Sequence, residues 1–364
     1  MAGWRINGKL LALLKLELHH LTTIQPSDRP WQMPFAAGLA CGLPMLIGAW
    51  LDHLDYGLVS SLGGLVFLYL PATALSHRMV WLMACAFGMV TCYTLGILGY
   101  FVPVMLAPTL TLITVLVAMV CRFYRLGPPS SMFFVMAAAI GAYTPTDFMR
   151  IPLHVGLLAM GCLLACAVGF VYSLIILRLR APLPVNPLPP ADFDHVVVDS
   201  VVIGVFVGLS LLCAQALALE RAYWVPVSCL TVVQGLSLRA VWIKQLHRIL
   251  GTALGLLLSL GLLSLPLDKW TIALLVIALS FVIETAVVRH YGFAVIFITP
   301  LTLLLAEAAT LGQSAPAGLL QARFWDTVLG CLVGLVGGVC LHHPPLRSML
   351  GRQMRRLLPS RLRR

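Results

Sequence analysis

Charge is what this sequence has least of. Only 10% of its 364 residues are Asp, Glu, Lys or Arg, and just 13 are acidic, whereas 60% are hydrophobic. Soluble domains carry roughly 25% charged residues, so a mean hydropathy of +0.97 excludes a water-covered globule and places the chain in lipid. Catalytic signatures are missing too. There is no phosphate-binding P-loop, no His-Glu-Xaa-Xaa-His and no nucleophile elbow, so an enzyme is not expected and no cofactor is called for. Ten cysteines lie within or beside apolar segments without the paired-cysteine or histidine context of a zinc site; even the i,i+4 pair Cys162 and Cys166 lacks it. Small apolar packing residues, with no disulfide framework and no metal, are the expectation. A cleavable leader is also not expected. The stretch 1–21 interleaves Arg5, Lys9, Lys15 and Glu17 with Ile6, Leu10, Leu13, Leu14 and Leu18, which suits an amphipathic helix on a membrane surface or a frayed extension.

What is present in abundance is long apolar sequence. At about 20 residues per crossing, the spacing predicts twelve helices in an all-α polytopic membrane protein. They fall near 34–52, 57–74, 79–100, 102–121, 129–146 and 152–177, then 196–218, 223–238, 248–265, 270–288, 291–309 and 324–341. The two sets of six read as one unit written twice. His77-Arg78 and His247-Arg248 each precede a long apolar run, and Arg150 and Arg323 each precede the last segment of their half. The expected organisation is an interfacial segment at 1–33, a first repeat at 34–180, a proline-rich linker at 181–195, a second repeat at 196–342 and a basic tail at 343–364.

The cations sort between alternating loops. All but Arg150, Arg221, Lys269 and Arg323 of the 24 Lys and Arg fall on one side of this topology, which predicts that both termini are cytoplasmic. An even number of spans per half makes the repeat parallel, with a pseudo-two-fold axis along the membrane normal. The net charge of +11 then needs no nucleic acid, and the Arg-rich tail suits anionic lipid headgroups.

Four patterns in the second half carry a resemblance. They are Tyr223-Trp224-Val225-Pro226, Arg248-Ile-Leu-Gly251-Thr252-Ala-Leu-Gly255, Tyr291 through Thr299-Pro300, and Arg323-Phe-Trp-Asp326-Thr327-Val-Leu-Gly330. In this order the chain resembles the fusaric-acid-resistance family, whose members include bacterial aromatic-acid exporters, with plant aluminium-activated malate channels as distant relatives. The first half is degenerate, with Tyr56-Gly57-Leu58 and Arg78-Met-Val-Trp81-Leu82 at matching places. The resemblance implies a secondary exporter in a bacterial cytoplasmic membrane, moving small organic anions such as aromatic carboxylic acids and coupled to protons. Two alternatives stay open: a passive anion channel, and a non-transporting membrane subunit of a larger assembly. Larger relatives carry a soluble cytoplasmic region where this sequence has a short linker and a tail, which leaves open a periplasmic adaptor or a second copy as partner.

Ionisable residues inside lipid are costly and are read first as functional. Glu284, Asp199 and Asp326 are the proton-coupling candidates. For Glu284 a plain hydrogen bond to a neighbouring helix is the competing reading. Asp326 lies i,i+3 from Arg323, which suits a clamp on one helix face or a substrate contact. Asp199 is expected to pair with a basic residue such as Arg248. For substrate binding the candidates are Arg248, Arg78, Tyr223, Trp224 and Thr299. The arginines sit at matching mouths, where Lys244, Arg122, Arg125 and Arg289 would help concentrate anions. Tyr223 and Trp224 open a proline-containing segment, and Thr299-Pro300 frees a carbonyl within another.

Overall fold

The computed structural model describes residues 22–357, except 186, 189, 191, 266 and 308–315. Among these residues every regular element is helical. The first six are α1 (Gln32–Trp50), α2 (Leu54–Gly64, continued by a 3-10 turn over Leu65–Tyr69), α3 (Leu75–Tyr100), α4 (Leu106–Phe123), α5 (Met132–Ala142) and α6 (Ile151–Leu179). The next six are α7 (Asp199–Ala216), α8 (Trp224–Val233), α9 (Leu238–Leu263), α10 (Lys269–Val287), α11 (Tyr291–Glu307) and α12 (Pro316–His342). A last helix, α13, spans Pro344–Leu357.

Eight of these are long and apolar enough to cross a membrane, and four shorter apolar helices accompany them. The shorter ones are α2, α5, α8 and α11, the second and fifth of each set of six. Their brevity has local causes. Pro128-Pro129 and Thr144-Pro145 bracket α5, and Gln234-Gly235 follows the last turn of α8. At ten residues α8 is about 15 Å long, half of the ~30 Å hydrocarbon layer. The span expected at 223–238 is thus a half-length helix followed by a break, and the one expected at 129–146 is likewise cut to 11 residues.

The helix pairs follow one scheme. In the first set α2 packs on α6, and α3 on α5 and α6; in the second α8 packs on α12, and α9 on α11 and α12. Across the two sets α1 packs on α10, and α4 on α7. Small residues permit these approaches. A β-carbon on Gly161 of α6 would collide with the Ser60 carbonyl of α2, and one on Gly330 of α12 with the Val225 carbonyl of α8. All ten residues of α8 are buried, so this half-length helix lies in the middle of the bundle. Outward, the long helices present Phe87, Met160, Leu163 and Leu257, all more than half exposed, as a lipid-facing surface.

Two polar devices tie the ends down. The extended stretch before α1 crosses to the other set: Arg29 Nη1 lies 3.1 Å from Glu284 Oε2, and Gln25 N–H donates to the Arg289 carbonyl at 2.8 Å. At the far end α13 folds back. Arg347 of α13 donates to both oxygens of Asp199, at 2.8 and 3.2 Å, and Arg355 to Asp194 at 2.8 Å. The basic tail is therefore in part a helix clamped onto the start of α7.

Candidate functional site

The site grows from the contact between α8 and α12. Because residue 330 is glycine, α12 lies directly on α8, with Ser228 Cβ only 2.7 Å from where a side chain would begin. Two turns earlier on the same face of α12, Arg323 then falls above the first residue of α8. Its guanidinium carbon sits 3.6 Å from the centre of the Trp224 ring, a cation–π contact in a water-poor place. Trp224 is 8% exposed and Arg323 4%. The tryptophan continues into an aromatic row: Tyr223 lies 5.0 Å from it, centre to centre, and Tyr143 of the first set lies 5.9 Å from Tyr223.

A second arginine arrives from α9. Gly255 lets α9 press against α11, where an added β-carbon would lie 2.7 Å from the Ile296 carbonyl. Arg248, two turns before it and 3% exposed, is thereby wedged between α8 and α11. Its Nε and Nη2 both donate to Ser228 Oγ at 3.3 Å, and its Nη1 donates to the Tyr291 hydroxyl at 3.0 Å. Those partners orient the guanidinium without cancelling its charge.

The charges are poorly balanced. Arg248 and Arg323 are close enough to repel each other, while Asp326 attracts Arg323. Asp326 is 1% exposed, yet neither of its oxygens accepts a hydrogen bond, and Arg323 Nε and Nη1 have no acceptor either. The i,i+3 clamp expected between them is therefore not a hydrogen-bonded pair. An arginine at a helix centre costs about 2.5–3.5 kcal/mol on insertion scales. Two buried near each other, Arg323 with donors to spare, form a place where an anion would be stabilised.

Of the residues singled out from the sequence, Arg248, Tyr223, Trp224 and Asp326 come together here. Thr299 is close by across Gly255, but its hydroxyl donates back to the Val295 carbonyl at 3.0 Å. Arg78 lies elsewhere. Its Nε donates to the Thr73 carbonyl at 2.6 Å and its Nη1 to Ser173 Oγ at 3.4 Å. Glu284 is joined to Arg29, as described above. The pairing of Asp199 with Arg248 is corrected: Asp199 is held by Arg122 at 3.1 Å, by His195 at 3.3 Å and by Arg347. The reason is register, since Asp199 opens α7, beside the end of α4, while Arg248 lies ten residues inside α9. Arg122 is thus engaged in that cluster, and a surface cleft between Arg122, Arg125, His195 and Arg347 is separate from the buried arginines.

The contact of Arg323 with Trp224 is what the sequence alone does not show; there Arg323 stands out as the i,i+3 neighbour of Asp326, for a clamp or a substrate contact. A signal for it existed: Arg323, Thr327, Gly330 and Gly334 recur at helical spacing, so the arginine heads the small-residue stripe that meets α8. Among the described residues no group of three or more His, Cys, Asp or Glu is placed to hold a metal ion.

Residues 201–337, which contain all of this site except Tyr143, match the family described as fusaric acid resistance protein-like. The chain is also similar to an uncharacterized membrane protein, YvaC, of Bacillus subtilis (strain 168), with 30% identity over 148 residues. That match takes in 41% of this chain and only 24% of the relative's length. No solved structure matches the chain.

Proposed function

We propose that this multi-pass membrane protein, whose residues 201–337 are similar to the fusaric acid resistance protein-like family, carries small organic anions, aromatic carboxylic acids foremost, out across a bacterial cytoplasmic membrane. One observation carries the reading: buried Arg323 lies against the face of Trp224 with two of its nitrogens unpartnered, and a second buried arginine, Arg248, is near enough to repel it. A carboxylate would take the spare guanidinium donors, and an aryl ring would lie along Trp224 and Tyr223. Arg248, Arg323, Trp224 and Tyr223 are thus the proposed binding residues, with Arg78 and Thr299 supporting helix packing.

Proton coupling belongs to the same proposal. We assign it to Asp326, because Glu284 and Asp199 already hold cations while Asp326 accepts no hydrogen bond and feels the charge of Arg323. The reading further treats 34–180 and 196–342 as parallel repeats, with both termini cytoplasmic. The matched positions of the short helices and the reciprocal α1–α10 and α4–α7 contacts support that arrangement.

The test is efflux from proteoliposomes loaded with radiolabelled benzoate, with and without an imposed pH gradient. The reading expects saturable flux that responds to the gradient. No flux of any aromatic acid from folded, inserted protein would overturn it, and unitary anion currents in planar bilayers would convert it to a channel.

A further inference from the structure

We infer that Asp326 fixes the charge of the substrate, so that the site takes an aromatic monoanion and turns away a dianion. The inference rests on the reading that Arg248 and Arg323 receive the carboxylate, and it deepens that reading by a count of buried charge. With the coupling proton off Asp326, the state in which substrate is taken up, Arg248 and Arg323 contribute two positive charges and Asp326 one negative. All three are at most 4% exposed. The groups touching Arg248, Ser228 and Tyr291, are neutral. Arg221, whose charge also reaches Asp326, belongs to the partly exposed loop between α7 and α8 and is screened by solvent. What remains buried is a single positive charge.

One incoming carboxylate brings that sum to zero. A second negative charge on the same ligand would remain uncompensated in a low-dielectric place, beside a carboxylate of the site itself. Asp326 suits this part because it is not spent on another bond: no hydrogen bond reaches either oxygen, and its charge acts on the site through space. Selection of this kind works by repelling the wrong ligand rather than by gripping the right one more tightly.

Benzoate and phthalate, which share a ring and differ by one carboxylate at neutral pH, are the probes. Affinity is measured calorimetrically on the purified full chain in nanodiscs. The wild type is expected to prefer benzoate by about tenfold or more, and Asp326→Asn to reduce that ratio by about tenfold through tighter phthalate binding. Should the asparagine variant fail to fold, Asp326→Ser, also neutral and smaller, takes its place. A wild type that binds phthalate as well as benzoate overturns the inference, with or without a folded variant. An unchanged ratio in the neutral variants also overturns it while leaving the arginine site standing. Binding of neither anion by folded wild type removes both.

Discussion

The two halves share a packing scheme and differ in what they bury. In the first, Arg78 opens α3 and its donors go to a backbone carbonyl and a serine hydroxyl, so the protein itself satisfies them. In the second, Arg248 lies ten residues into α9 and is joined by Arg323, whose donors are left over. The first-half counterpart of Arg323 is Arg150, which is exposed in a 3-10 turn ahead of α6. Where the second half has Asp326 three residues on, the first has Leu153, 40% exposed. Tyr223-Trp224 is matched by Tyr56-Gly57, which removes the ring that Arg323 covers. Similar helix pairings thus surround a buried, unbalanced charge in one half only, and ionisable groups inside lipid are read first as functional.

The largest effect that should separate the halves is on transport. Arg248→Gln is expected to reduce benzoate efflux by more than about tenfold, because it removes a charge that no neighbour replaces. Arg78→Gln should lower the melting temperature, through loss of two buried hydrogen bonds worth about 1–3 kcal/mol together, with efflux per folded molecule nearly unchanged. Next come matched glycines. Gly161→Val and Gly330→Val should each destabilise by about 1–3 kcal/mol or more, since both force backbones apart, but only the latter should abolish benzoate binding in protein that remains folded.

A smaller effect concerns the clamp on α13, for which the second half again supplies the anchor. Asp199→Asn leaves Arg122 and Arg347 without their carboxylate, and a loss of about 1–3 kcal/mol follows once the exposure of Arg347 is allowed for. Limited trypsin digestion should then cut at Arg352 and Arg355 several-fold faster; unchanged cleavage would show that α13 is held by other contacts. The smallest effect lies where α1 meets α10. The side-chain hydrogen bond and charge of Lys269 hold the Asp52 carboxyl below the usual carboxylate range. A lowered folded-state pKa stabilises above the unfolded value and is lost as pH falls through the folded one, so the contribution should vanish under acid. The pair is exposed, so Asp52→Asn should barely move the melting temperature at neutral pH and not at all at low pH.

Much of the fold is legible in hydropathy alone, because lipid demands helices and helices demand apolar length. The half-length helices are less so. The run 223–238 is apolar enough for a span, and only the packed surroundings of α8 make ten buried helical residues followed by a break sufficient. Arg248, Trp224 and Tyr223 were readable as candidates from their place in the resemblance. The contact of Arg323 with Trp224 was not, because it spans nearly a hundred residues, whereas the sequence places Arg323 beside Asp326. The partners of Asp199 were hidden for a similar reason, since α13 returns to α7 only after the whole second half has been laid down.

The most direct test is benzoate affinity of the purified, folded chain, measured side by side for wild type, Arg323→Gln and Arg78→Gln. The account predicts a loss of at least about tenfold for Arg323→Gln and less than about twofold for Arg78→Gln. Equal losses in the two variants, or none in Arg323→Gln, would contradict it.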